Sequence, residues 1–186
     1  MVFPSLLSRR ARRQRGPAAE LYAAIVGQAR EPIFFSDLEV PDNLDGRFEM
    51  LALHAFLVLR RIKAEGEAGA DLAQAVFDVF FEDMDRSLRE LGATDLGVGR
   101  RVKAMAQAFY GRIRAYDQGL EGDDAALSGA LRRNIWGTVA EPSQTHVAML
   151  ACYLRRQQAA LSAQPKNTLA EGRVAFLPAT FETMEA

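Results

Sequence analysis

The stretch VKAMAQAFYGRIRAYDQGL, Val102 to Leu120, decides how this chain is read. Phe109, Tyr110 and Tyr116 interleave with Arg112 and Arg114, the mixture found on strips that stack bases and neutralise phosphates. A helical reading divides them differently. Val102, Met105, Phe109, Ile113, Tyr116 and Leu120 recur at steps of three and four, so they share one apolar face. Phe109 and Tyr116 are then packing residues. Ala104, Ala108, Gly111 and Ala115 form a second stripe of small residues, which predicts close approach of another helix and accounts for a glycine costing about 1 kcal/mol against alanine. Lys103, Gln107, Tyr110, Arg114 and Asp117 are left outside, with Arg112 at the edge.

The same periodicity holds along the chain. Its 186 residues suit one domain, 49% hydrophobic and 25% charged, and β-branched runs are almost absent. The expected fold is all-α: a single multi-helix domain of about six helices. Residues 1–17 read as a disordered basic arm, 18–163 as the helical domain and 164–186 as an irregular tail, in which RVAFLP (Arg173 to Pro178) can dock as an extended segment. Helices are expected over Ala18–Ala29, from an Asp45 N-cap to about Ala64, from an Asp71 cap to Leu91, over Val98–Leu120, Asp123–Ile135 and Pro142–Ala163. The second of these is apolar nearly all round, which makes it the central, buried one. Phe34, Phe35 and Leu38 of the irregular segment before it are expected to cover a neighbouring helix.

Charge and composition narrow the function. The net charge is −1, yet residues 1–19 hold Arg9, Arg10, Arg12, Arg13 and Arg15 and no acid, so the body carries −6. Such an arm suits an anionic membrane surface or RNA. The single cysteine, Cys152, allows no intramolecular disulfide and is expected to be a buried thiol. The longest apolar run, Met50 to Leu59, falls far short of the roughly 20 residues that span a bilayer. No secretory signal is expected; an Arg-rich, acid-free start also matches a mitochondrial transit segment.

Residue-level chemistry is sparse. Neither His54 nor His146 has a carboxylate three residues earlier, so no di-iron Glu-x-x-His pattern exists. His54 reads as a buried, hydrogen-bonded histidine. Asp78, Glu82 and Asp85 share one helix face, which also carries Arg89, and i, i+4 spacing predicts Glu82–Arg86 and Asp85–Arg89 ion pairs on a solvated or partner-facing acidic strip. No nucleophile elbow, phosphate loop or dinucleotide fingerprint occurs. The expectation is a protein without catalytic residues, metal or cofactor, and without a small-molecule substrate.

Three ordered segments carry a resemblance: RFEMLALHAFLVLRRIKAEG (Arg47–Gly66), VFDVFFEDMDRSLRELGATDLGVGRRVKAM (Val76–Met105) and AFYGRIRAYD (Ala108–Asp117). Together they resemble the ubiquinol–cytochrome c chaperone family, assembly factors of respiratory complex III. The resemblance covers residues 20–120 well and the later helices more loosely. It implies an all-helical chaperone that binds newly made cytochrome b until haem and partner subunits arrive. A small helical co-chaperone and the ribosome are implied as further partners, with peripheral contact at the inner membrane. The implied place is the bacterial cytoplasm, with the mitochondrial matrix face as the alternative. Surplus aromatics are expected to expose a groove between the 71–91 and 98–120 helices. Phe77, Phe81 and Tyr110 would line it, Asp78, Glu82 and Asp85 would form its rim, and Arg112 and Arg114 would meet an acidic partner or the membrane. The rival readings are an RNA- or ribosome-binding factor using the arm with Arg112 and Arg114, and a helical enzyme or haem handler using His54 or His146.

Overall fold

Among the described residues local periodicity is realised as eight helical segments. The structure, a computed structural model, describes residues 9–90, 92 and 94–181, without the side chains of residues 9–13, 95 and 96. Among the described residues the chain forms α1 (Arg9–Ala29), α2 (Ile33–Ser36), α3 (Leu44–Lys63), α4 (Glu67–Glu90), α5 (Asp95–Glu121), α6 (Asp124–Ile135), α7 (Gln144–Ala163) and α8 (Lys166–Ala170), and no strand.

α3 is the axis, and its two faces explain why it is apolar all round. Met50, Leu53, Phe56 and Leu57 join a core with Tyr116 of α5, Leu131 of α6 and Leu150 and Leu154 of α7. Ala52, Ala55, Val58 and Ile62 join a second core with Leu21 and Ile25 of α1 and Val76 and Phe80 of α4. Each fully buried large apolar side chain contributes about 1.5–3 kcal/mol. Phe34 and Leu38 are fully buried, and Trp136 donates its indole N–H to the Leu38 carbonyl at 3.2 Å. The segment before α3 is thereby held under α6.

Several helix starts differ from expectation. The side chain of Asn43, not Asp45, caps α3 by accepting from the Gly46 N–H. Gly46 lies so close to the Pro41 carbonyl that a Cβ would sit 1.9 Å from its oxygen, which tightens the turn and starts the helix earlier. α4 starts at Glu67 rather than Asp71: Gly66 turns the chain at φ +63°, and Gly69 seats against the Ile62 carbonyl. Thr94 caps α5, which starts at Asp95 rather than at the expected Val98. Ser143 caps α7, which leaves Pro142 before the cap instead of in the first turn. α1 runs from Arg9 through Gly16 and Pro17, within the segment read as an arm. Residues 1–8, and Leu91 where α4 was expected to end, lie outside the described residues.

Arginines close two helix C-termini. Arg61, buried on α3, donates to the carbonyls of Leu161 and Gln164 at the end of α7, both at 3.0 Å. Arg155 of α7 donates to Leu120, Gly119 and Gly122 at the end of α5 and pairs with Asp124 at 2.9 Å. Cations there satisfy carbonyls without intrahelical partners and complement the helix dipole.

After α8 the chain does run extended along the body. Gln157 accepts from the Leu177 N–H at 2.9 Å and donates to its carbonyl at 2.7 Å, and Gln164 does the same for Ala175. Phe176 and Phe181 pack into the core beside His54 and Phe34.

The small-residue stripe on α5 packs otherwise than expected. A Cβ at Gly111 would meet nothing within 4 Å, whereas one at Gly119 would lie 2.8 Å from Leu127 Cα. Close helix approach thus occurs at the α5–α6 hairpin, at Gly119. Gly111→Ala is expected to raise stability by about 0.5–1 kcal/mol and Gly119→Ala to lower it by about 1–3 kcal/mol. Urea unfolding measures both, and equal signs would contradict this packing.

Candidate functional site

A half-open groove of about 930 Å³ runs between the helices. Its walls are the first half of α3, the second half of α4, the first half of α5 and the end of α6. Leu51, Met84, Leu88, Met105 and Ile135 make an apolar floor, joined by Ala104 and Ala108 of the small-residue stripe. Ala104, Ala108 and Gly111 therefore face open space, while Ala115 of the same stripe packs against the core.

A charged pair anchors one wall. Arg112 grips both carboxylate oxygens of Glu49, with Nε to Oε2 at 2.5 Å, and its guanidinium lies 5.5 Å from the centre of the Phe48 ring. Glu49 is almost fully buried on α3. Burial raises its pKa, against the pull of the Arg112 guanidinium. Arg112 is accordingly held inside the chain instead of being left for a partner.

The mouth is basic. Arg30, Arg101 and Arg133 line the groove, are exposed, and pair with no carboxylate among the described residues. Arg47 also lines it and pairs with Asp42 at 2.6 Å. Of the acids in the wall, Glu49 is bound to Arg112, and Asp83 accepts from Tyr22 Oη at 2.7 Å and from Arg86. Asp45 remains.

The expected site residues divide into three groups. Phe77, Phe81 and Tyr110 meet one another but none of them lines the groove: Phe77 stacks on Tyr110 with centroids 5.4 Å apart and lies 4.6 Å from Phe81. Of these only Tyr110 is well exposed, at 59%; Phe81 is buried, so most of the surplus aromatics belong to the core. Asp78, Glu82 and Asp85 do not line the groove, whose α4 wall is Asp83, Met84, Ser87 and Leu88. Gln74 donates to Asp78, Asp85 pairs with Arg89 at 2.6 Å, and Glu82 pairs with Arg15 of α1 at 2.7 Å in place of Arg86. Arg86 turns to Asp83 instead. Arg112 lines the groove, and Arg114 is exposed on another face of α5. The side chains of Arg9, Arg10, Arg12 and Arg13 lie outside the described residues.

Sequence reasoning missed Glu49, Arg30, Arg101 and Arg133. A signal for Glu49 was present: it is a lone acid in an apolar helical run, which demands a buried cation. The rim arginines come from three separate helix ends and share no local pattern.

His54 is enclosed. Its Nδ1–H donates to the Met50 carbonyl at 2.8 Å, and its Nε2 accepts from Tyr153 Oη at 2.8 Å; Gln28 donates in turn to Tyr153 at 3.0 Å. Burial lowers its pKa to about 4. Both ring nitrogens are engaged, so it offers no ligand position to haem. His146 lies 3.6 Å from Glu39, the one described non-glycine residue with positive φ, at +53°. Cys152 is exposed, not buried: a single 100° helical step separates it from fully enclosed Tyr153.

Comparison with known proteins places these features in a family. Residues 36–176 match the model of the Ubiquinol-cytochrome C chaperone family. The chain is 38% identical to a solved structure described as the Cbp3 homolog from Brucella abortus, covering 95% of this chain and 97% of that one, with a TM-score of 0.80. It is 27% identical over 162 residues to ubiquinol-cytochrome-c reductase complex assembly factor 1 of Xenopus laevis, covering 87% of this chain and 80% of that protein. It is also 27% identical over 148 residues to the mitochondrial protein CBP3 of Saccharomyces cerevisiae, spanning 44% of that protein. None of these resemblances favours RNA binding.

Proposed function

Since the chain belongs to the Ubiquinol-cytochrome C chaperone family, we propose that it is an assembly factor for the ubiquinol–cytochrome c reductase complex that holds newly made cytochrome b in the groove between α3, α4, α5 and α6. The observation that carries this reading is positional: α3, α4, α5 and α6, which supply most of the groove's lining, lie wholly within the matched residues 36–176, and Ala29 and Arg30 at its mouth precede them. A chaperone for an apolar client needs an apolar surface that no side chain of its own fills. Among the described residues the groove floor supplies it. The C-terminal segment is already seated elsewhere, beside α7.

No described helix is long and apolar enough to cross a membrane. The protein works peripherally at the inner membrane, on the cytoplasmic face in a bacterium or the matrix face in a mitochondrion, where cytochrome b is inserted. A small co-chaperone and the ribosome are the further partners to seek by co-purification.

The test is to fill the groove. Ala108→Trp places an indole on the floor without removing a core contact. Cells carrying this variant are expected to lose most of their spectroscopically detected cytochrome b and complex III, as cells lacking the gene would. Normal cytochrome b and complex III in the deletion strain would overturn the function. Normal levels with Ala108→Trp alone would overturn the groove as its site.

A further inference from the structure

We propose that the groove selects an acidic amphipathic helix: the guest's apolar stripe lies on the α3–α4–α5 floor, and carboxylates on its flank meet Arg30, Arg101 and Arg133. This rests on the reading that the groove is the guest-holding surface.

The backbone argues for a helical guest. All four walls are helices, whose main-chain N–H and C=O groups are already bonded to one another along their length. An extended guest would enter the groove with its own backbone groups unmatched, at a cost for each one buried. A helix brings its backbone already satisfied. Ala104 and Ala108 leave the α5 wall low, so a helix axis can approach closely there.

Charge argues for acid on its flank. Outside residues 1–19 the chain carries a net −6, yet this groove gathers Arg30, Arg47, Arg101 and Arg133 at its mouth. Three of them have no carboxylate partner among the described residues, and of the acids lining the groove Glu49 and Asp83 are already engaged, which leaves Asp45 to oppose the arginines. The strip of Asp78, Glu82 and Asp85 lies off the groove, so it does not cancel this field. The floor presents aliphatic and methionine side chains where a nucleic acid would want stacking aromatics; Phe48 is half-buried under Arg112. A concave site on an acidic body also fits a single helix better than an anionic bilayer surface.

Two synthetic peptides test this, identical along the apolar stripe and carrying Glu or Lys at the flanking positions. Binding to the full chain is read by fluorescence anisotropy at low and physiological salt, with phosphatidylglycerol vesicles as a third probe. The Glu peptide should bind, more weakly as salt rises. Binding should fall by about ten-fold or more with Arg30→Gln, Arg101→Gln and Arg133→Gln combined, at up to about 1 kcal/mol per exposed pair. Ala108→Trp should block it. Far-UV dichroism and melting curves establish that both variants are folded. Equal binding of the Lys peptide, an unaffected triple variant, or vesicles binding through these arginines while the Glu peptide does not would each overturn the proposal. Complex III separates the two readings. If Ala108→Trp depletes it and the triple variant does not, the groove stands and the acidic guest falls. If both variants leave it intact, both readings fall.

Discussion

Replacing Arg112 with methionine is expected to lower the unfolding free energy by about 3–5 kcal/mol, the cost of stranding a buried charge. The stranded group is Glu49, whose side chain is 9% exposed and whose carboxylate receives both arms of the guanidinium. Glu49→Gln combined with Arg112→Met should recover much of the loss, because neither charge is then left in the interior. A double-mutant cycle in urea isolates the pair. The deficit of the single variant should also shrink as the pH falls. Burial already raises the Glu49 pKa, and a protonated carboxyl no longer needs the guanidinium. A loss below about 1 kcal/mol would show that water screens the pair as it does on a surface.

Acid should destabilise the fold through His54. In the unfolded chain its imidazole titrates near 6.5, and in the folded chain near 4, because it is buried among Phe34, Tyr153 and Phe176. Between those values the unfolded chain binds a proton that the folded chain refuses. The stability is therefore fully present above about 6.5 and is lost as the pH falls toward about 4. Each pH unit in that window is worth about 1.4 kcal/mol, so the loss approaches 3 kcal/mol. Protonation at Nε2 would also remove the acceptor of the Tyr153 hydroxyl and force that bond to reverse, disturbing the Gln28–Tyr153–His54 chain that joins α1, α7 and α3. His54→Gln should be less stable at neutral pH yet show a shallower decline across the same window. Parallel profiles for the two proteins would remove His54 as the cause.

Helix identities were legible because they rest on neighbours in sequence. Steps of three and four put Phe109 and Tyr116 on one face of α5, and both are fully buried. The all-round apolar character of α3 announced a helix with partners on both sides, which its two cores supply. The ordered segments from Arg47 to Asp117 pointed to the family that the comparisons show. His54 was legible for the same reason, since a histidine inside an apolar helix requires enclosed hydrogen-bond partners.

The site was less legible because it depends on gaps between helices, and helical periodicity says nothing about gaps. The stripe of Ala104, Ala108, Gly111 and Ala115 is the clearest case, for Ala115 packs against the core and the other three do not. Its spacing announces a surface that something can approach closely, but in this chain α6 packs at Gly119 and leaves those three open. Arg112 looked available at a helix edge until α3 brought Glu49 against it from 63 residues away. The acidic strip of α4 was read correctly as a helix face, while only the packing of α1 decided that Glu82 meets Arg15.

By itself, then, the sequence determined an all-α chain, its central helix, its core faces and its family, because local periodicity and residue order carry those. The tertiary structure alone decided where the groove lies and that its mouth is basic. Arg30, Arg101 and Arg133 converge only when α1, α5 and α6 are folded around α3, and no local pattern encodes that convergence.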